Sequence, residues 1–261
     1  MEMEMQDEAY SDSLLKNLQD QDAVAIVGII VAVVVVILTI LFLKIFWGSK
    51  STKSAVLLVG LCDSGKTLIF NRLLTGKFKR TQTSMTDNSA FYRPHNDTGS
   101  GWTLIDLPGH ESLRPQYIEK FKSAARAIVF VVDSASFQKE VRDVAELLYS
   151  LLTDSVIARN APTLLVTCNK QDITMAKSAK LIQQQLEKEL NTLRVTRSAA
   201  LSSQDGSTGD ASVYLGKKGK DFDFSQVSMR VEFLECSSRS SKGDEGEADI
   251  ENLEKCLAKL S

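Results

Sequence analysis

The stretch from Val56 to Thr67 leaves the chain few folds to choose from. Val56-Leu57-Leu58-Val59 is apolar and β-prone, and it runs directly into Gly60-Leu61-Cys62-Asp63-Ser64-Gly65-Lys66-Thr67, a Gly-x-x-x-x-Gly-Lys-Thr sequence. That spacing demands a strand, a loop and a helix in succession. The strand delivers the chain, the glycines let backbone amides approach an anion, and the helix beginning near Lys66 turns its positive dipole end toward it. Gly60, Leu61, Cys62, Asp63, Ser64, Gly65, Lys66, Thr67 and Leu68 are the candidate phosphate contacts. Lys66 is placed to reach the β- and γ-phosphates, and the Thr67 hydroxyl to hold Mg²⁺. Along the helix, Leu68, Ile69, Phe70 and Leu73 form an inward face, with Asn71 and Arg72 expected outside. A loop of this kind does not choose between adenine and guanine.

A second constraint lies upstream. Residues 23 to 43 are uncharged and rich in Val, Ile and Leu, and at about 1.5 Å per residue they span roughly 30 Å, the thickness of a bilayer's hydrocarbon. A transmembrane helix is expected there. A cleaved signal peptide would need a basic leader and a shorter apolar core, whereas residues 1 to 22 carry seven acidic side chains and only Lys16. Lys44, Lys50 and Lys53 follow the run and Asp20 and Asp22 precede it. The positive-inside rule therefore puts the acidic segment in the lumen and, after a linker over 44 to 53, the large domain of residues 54 to 261 in the cytosol. The net charge of −2 averages over these unlike parts.

Beyond the loop the chain alternates strands and helices. Thr75 to Asn88 is polar and without period, the place where a threonine would close on Mg²⁺; Thr86 is the first candidate, with Thr83 and Thr81 behind it. Ser89–Arg93 and Trp102–Ile105 read as a hairpin, and the second strand ends in Asp106-Leu107-Pro108-Gly109-His110. An acid at that position can meet Mg²⁺ through water, and the Gly109 amide can face the γ-phosphate. Ala127–Val132 is continuously apolar, as a strand covered on both faces should be. A helix over Phe137–Leu152 and a strand over Thr163–Thr167 follow.

That last strand feeds Asn169-Lys170-Gln171-Asp172. A carboxylate at Asp172 can accept paired hydrogen bonds from the N1–H and exocyclic amine of guanine, a pair that adenine lacks. Asn169 would brace the loop and bond the other edge of the base, and the stem of Lys170 would lie on the ring. After a helix over Ser178–Thr192, residues 197 to 221 are rich in Ser, Gly and Asp and read as a surface insertion, the alternative being a partner-binding element. Val227–Leu234 returns to strand, and the following Ser237 and Ser238 are candidates for the base, Ser238 through its amide to the guanine oxygen. Ile250–Leu260 closes the chain as an amphipathic helix. Cys62, Cys168, Cys236 and Cys256 show no metal-ligand spacing, so neither a disulfide nor zinc is expected.

With these motifs in this order, residues 54 to 261 resemble the small GTPases. The Asp-Leu-Pro-Gly-His and Phe-Val-Val-Asp-Ser runs are similar to the Arf/Sar branch, and the added membrane anchor makes the whole chain resemble the β-subunit family of signal recognition particle receptors. The resemblance implies an α/β fold with a mostly parallel six-stranded sheet flanked by helices. It further implies GTP, GDP and Mg²⁺ as ligands, and Lys66, Gly109 and His110 as catalytic positions. The implied setting is the endoplasmic reticulum membrane. The implied partner is the receptor α subunit, bound through switch loops at 81 to 88 and 107 to 116, with the ribosome or translocon nearby and no direct nucleic-acid contact. Where most small GTPases have Gln after Asp-x-x-Gly, this chain has His110, which leads to an expectation of slow hydrolysis. A near-static tether using GTP structurally, and a Sar-type coat-recruiting GTPase, are the alternatives.

Overall fold

β1 (Ala55–Gly60) is buried at every position, and its side chains part alternately to two cores, as the period of two in an extended strand requires. Leu57 and Val59 point to one, Val56 and Leu58 to the other. Parallel neighbours lie on both sides, β3 (Trp102–Asp106) and β4 (Ala125–Asp133). β5 (Thr163–Asn169) and β6 (Val231–Glu235) extend the parallel sheet beyond β4. β2 (Asn88–Tyr92) forms an antiparallel edge against β3, so the order is β2-β3-β1-β4-β5-β6. The expected six-stranded, mostly parallel sheet is present.

The computed structural model describes residues 31–37, 39, 53–94, 101–203, 213–239 and 246–260. Contacts divide the chain into Met1–Ser51 and Thr52–Ser261, and the sheet belongs to the second unit. The expected acidic segment at 1–22, the anchor at 23–43 apart from 31–37 and 39, and the linker at 44–53 apart from residue 53 lie outside the described residues. Residues 31–37 and 39 are helical. Among the described residues no helix is long and apolar enough to cross a membrane.

Parallel strands need crossovers, and these cover both faces with helices. α1 (Lys66–Thr75) packs Ile69 and Leu73 on the second core, as does α6 (Glu251–Ala258) with Leu253 and Leu257. On the first core lie α3 (Phe137–Thr153) and α5 (Ala179–Ser203), with Leu148, Leu151, Ile182, Leu186 and Leu190. Two short helices went unread in the sequence, α2 (Arg114–Phe121) and α4 (Ser155–Asn160). The geometric consequence matters for function. β1, β3, β4, β5 and β6 run the same way, so the turns after Gly60, Asp106, Asp133, Asn169 and Glu235 gather along one edge of the sheet.

The region from 197 to 221 differs from expectation. Residues 197–203 continue α5, and 213–221 is held against the domain, while 204–212 lies outside the described residues. Leu215 is 2% exposed, and Phe222 and Phe224 are also buried with their rings edge to face at 5.3 Å. The organiser is Arg194, whose buried guanidinium donates to the carbonyls of Leu215 (3.4 Å), Lys217 (3.2 Å) and Lys220 (2.6 Å) and to Asn191 Oδ1 (2.5 Å). One cation replaces the apolar pattern that the segment lacks, so no periodicity announces the docking. Arg194→Ala should leave those carbonyls unpaired, lowering stability by about 2 kcal/mol in urea titration. It should also open 213–221 to limited proteolysis; an unchanged midpoint would refute the clamp.

Candidate functional site

The turn after β1 takes its shape from what surrounds it. A Cβ on Gly60 would lie 2.3 Å from the Val131 carbonyl oxygen, and one on Gly65, whose φ is 95°, would lie 2.2 Å from Asn169 Nδ2. Both glycines are therefore required by close approach. Within the loop Ser64 is buried and its hydroxyl donates to the Leu61 carbonyl at 3.0 Å, while Asp63 turns through a φ of 58°. Lys66 Nζ donates to the same carbonyl at 2.6 Å. Burial pulls the Lys66 ammonium below its ordinary pKa, and Arg114 adds to this against the pull of Asp106. The result is a partly desolvated cation beside a pocket of about 900 Å³ that Cys62, Asp63, Lys66, Thr67 and Leu68 help to line.

Asp106 at the end of β3 is fully buried. Its Oδ2 accepts from Thr67 Oγ1 at 2.7 Å and from Asn88 Nδ2 at 3.3 Å, whereas Oδ1 has no partner among the described residues. Desolvation pushes this carboxyl up from its usual range, with Thr67, Asn88 and Lys66 pulling the other way. An unmet carboxylate oxygen beside the Thr67 hydroxyl is the hard-oxygen setting that Mg²⁺ selects. The third oxygen here is Ser84 Oγ, 3.1 Å from Thr67 Oγ1. Sequence reasoning passed over Ser84 because it sought a threonine. Thr81 and Thr83 line the pocket with Ser84; Thr86 is exposed and is not among the lining residues.

At the other end, Asn169 is fully buried and joins two loops. Its Nδ2 donates to the Ser64 carbonyl at 2.8 Å, and its Oδ1 accepts from the Ser238 amide at 3.0 Å. The bracing expected of Asn169 is present; the Ser238 amide, expected to face a base oxygen, is engaged by Asn169. Lys170 adopts a φ of 67° and its ammonium sits 2.6 Å from Asp133 Oδ2. Burial works to raise the Asp133 pKa, but Lys170 and the Ser136 amide hold it below the ordinary carboxylate value. This ion pair fixes the Lys170 stem on the pocket wall. Asp172 also lines the pocket and accepts from Ser237 Oγ at 2.5 Å.

Two expected catalytic positions behave differently. Gly109 walls the pocket so closely that a Cβ there would lie 2.7 Å from Lys66 Nζ. His110 is exposed, with Nδ1 2.8 Å from Ser112 Oγ, and it borders a neighbouring groove between α2 and α3. Leu61 borders that groove too and packs on the first core. A polar ring partner two residues away and open solvent explain the orientation of His110. Arg72, expected outside, is 3% exposed, its guanidinium finding carbonyl acceptors inside. The site can thus hold a polyphosphate at Lys66, a cation between Thr67 and Asp106, and a ring against Lys170 and Asp172.

A family model described as signal recognition particle receptor beta subunit matches residues 51–231. The chain is 62% identical over 252 residues to the signal recognition particle receptor subunit beta of Rattus norvegicus, covering 97% of this chain and 93% of that protein. A structure of the mammalian SRP receptor matches with a TM-score of 0.69 and 63% identity, covering 79% of this chain and 100% of that one. The structure of SRb-GDP from Chaetomium thermophilum matches with a TM-score of 0.59 and 25% identity, covering 80% and 97%.

The Asp106 environment has a measurable consequence. Its folded pKa is raised, so the folded state without ligands binds the proton more tightly than the unfolded chain. That stabilisation is present at low pH, where both forms are protonated in the fold's favour, and is lost as pH climbs from about 3.9 through the raised folded value. Asp106→Asn should flatten this segment of the stability curve in denaturant titrations from acid to neutral pH. An unaltered slope would show that Asp106 is not the titrating group.

Proposed function

The chain belongs to the signal recognition particle receptor beta subunit family, and we propose that it is the membrane-anchored GTPase of that receptor, binding GTP and GDP with Mg²⁺. In its GTP form it docks the receptor α subunit through the loops at 81 to 88 and 107 to 116. By this reading it supports delivery of secretory and membrane proteins to the endoplasmic reticulum, near the ribosome and translocon. Residues 23 to 43 cross the membrane with the N-terminus in the lumen. The observation that carries the reading is the placement of Asp172 on the wall of the same pocket that Lys66 and Thr67 line, with Asn169 bonded to both flanking loops.

The roles follow from chemistry. The loop amides and the desolvated Lys66 ammonium offset the negative charge of the β- and γ-phosphates, a stabilisation worth most where water is excluded. Thr67 and Asp106, with a hydroxyl from the 81–84 loop, would hold Mg²⁺, which supplies charge neutralisation to the phosphates. Gly109, packed against Lys66, leaves room for its amide to approach the terminal phosphate. Asp172 accepts from the guanine N1–H and amine, Lys170 covers the ring, and Ser237 steadies Asp172.

Hydrolysis by the free chain is slow in this reading, because His110 is turned to Ser112 and away from the phosphate pocket. The same orientation favours a second reading, a near-static tether that keeps GTP as a structural cofactor. A Sar-type coat-recruiting GTPase fits less well, since its membrane element would be amphipathic and residues 23 to 43 are uncharged throughout.

Asp172→Asn in the full chain should weaken GDP binding about 100-fold and improve xanthosine diphosphate binding, as expected when an acceptor no longer matches its donor pair. Unchanged base selectivity in competition titrations would refute the guanine assignment. Single-turnover GTP hydrolysis, with and without the α subunit, separates switch from tether. The switch reading requires acceleration by the partner; a half-life of many hours in both states supports the tether. His110→Ala should change the rate of the free chain less than about threefold, since a group outside the reacting centre supplies little general-base catalysis.

A further inference from the structure

Arg72 lies seven residues beyond Gly65 on α1 and is buried to 3% exposure. A buried guanidinium is costly unless its donors are met, and here three separate carbonyls meet them. Nε donates to Ser238 at 3.2 Å, one terminal nitrogen to Gly246 at 3.0 Å, and the other to Gly76 at 3.0 Å. The guanidinium carbon also stands 5.7 Å from the centre of the Phe78 ring. One side chain therefore ties together the end of α1, the chain that leaves it, the loop after β6 and the approach to α6.

The Ser238 contact is the informative one. Ser238 is held at both of its backbone polar groups, its amide bonded to Asn169 and its carbonyl to Arg72. Ser237, immediately before it, has its hydroxyl shared between the Asp172 carboxylate and the Arg239 carbonyl. We infer that Arg72 is the positioning residue of the base-binding loop, setting through Ser237 and Ser238 how sharply Asp172 distinguishes guanine from other purines. This inference rests on the guanine reading given above. A lysine cannot replace it, because a single ammonium on a flexible stem does not span three divergent carbonyls as the planar fork does. Removing Arg72 frees the Ser238 carbonyl, leaving the loop to the Asn169 bond at the Ser238 amide and the backbone pair between Ser237 and Asp249, and the Asp172 carboxylate loses part of its fixed alignment with N1–H and the amine.

The test compares GDP with inosine diphosphate, which lacks the exocyclic amine, on the full chain in detergent. Arg72→Lys and Arg72→Ala should each release a fluorescent GDP about tenfold faster and cut the preference for GDP over inosine diphosphate about fivefold or more. Arg194→Ala, a buried arginine remote from the base in sequence contacts and bonded to the 215–220 carbonyls, serves as the control for general destabilisation and should leave that preference unchanged. Equal weakening of both nucleotides by the Arg72 variants, or no weakening, overturns the positioning role while leaving the guanine reading intact. A wild-type chain with no preference for GDP over inosine diphosphate overturns both. Should Arg72→Ala fail to fold, Arg72→Lys alone decides, since it retains charge and bulk while losing the fork.

Discussion

Two hydrogen bonds of the Asn169 side chain to backbone groups make a single site out of separate loops. The phosphate loop follows β1 and the Ser237–Ser238 turn follows β6, with β4 and β5 between them. Asn169, at the end of β5, reaches the Ser64 carbonyl on one side and the Ser238 amide on the other. Because Asn169 is wholly buried, neither bond competes with water, and leaving either group unpaired would cost about 1–3 kcal/mol. Gly65 is glycine for the same reason, since a side chain there would occupy the space of Asn169 Nδ2. The parallel sheet supplies the coarse placement of these loops; Asn169 supplies the register between phosphate and base.

Charge in the site is arranged against the fold's own interest. Lys66 and Asp106 are both buried, the first with its ammonium disfavoured and the second with its carboxylate disfavoured. An unpaired buried carboxylate oxygen and a desolvated ammonium are liabilities for folding alone, and in the proposed function they become assets toward a phosphate chain and a divalent cation. Such local conflict is expected at functional positions, where binding restores what folding gave up. Arg72 and Arg194 are the opposite case. Each is a buried cation that donates to several backbone carbonyls, through all three nitrogens in Arg72 and the two terminal ones in Arg194, and each holds irregular chain in place.

Much of the architecture was legible because parallel strands buried on both faces carry continuous apolar runs. Ala125–Asp133 and Thr163–Asn169 could be read to within a few residues for that reason. The turn residues Gly60, Asp106 and Asn169 were placed at strand ends by the short motifs that carry them, and the structure has them there. Arg72 was misread because helical periodicity treats a charged residue as outward, and nothing local reveals carbonyls contributed by residues 238 and 246. Ser84 was missed since several hydroxyls in a polar loop look alike until the fold brings one beside Thr67. The docking of 213–221 had no periodic signal at all.

The sequence by itself determined the alternation of elements and which residue types stand at the strand ends along one edge of the sheet. These depend on local spacing and on what each side chain can donate or accept. Only the tertiary structure decided that Asn169 and Arg72 hold the amide and the carbonyl of the same residue, Ser238, that Asp106 keeps one oxygen unmet among the described residues, and that His110 faces Ser112. Those outcomes depend on burial and on partners 18 to 166 residues away, apart from His110, whose neighbour is near but whose orientation follows from open solvent. Periodicity can specify which face of an element is apolar; it carries no information about which distant carbonyl a buried donor will find.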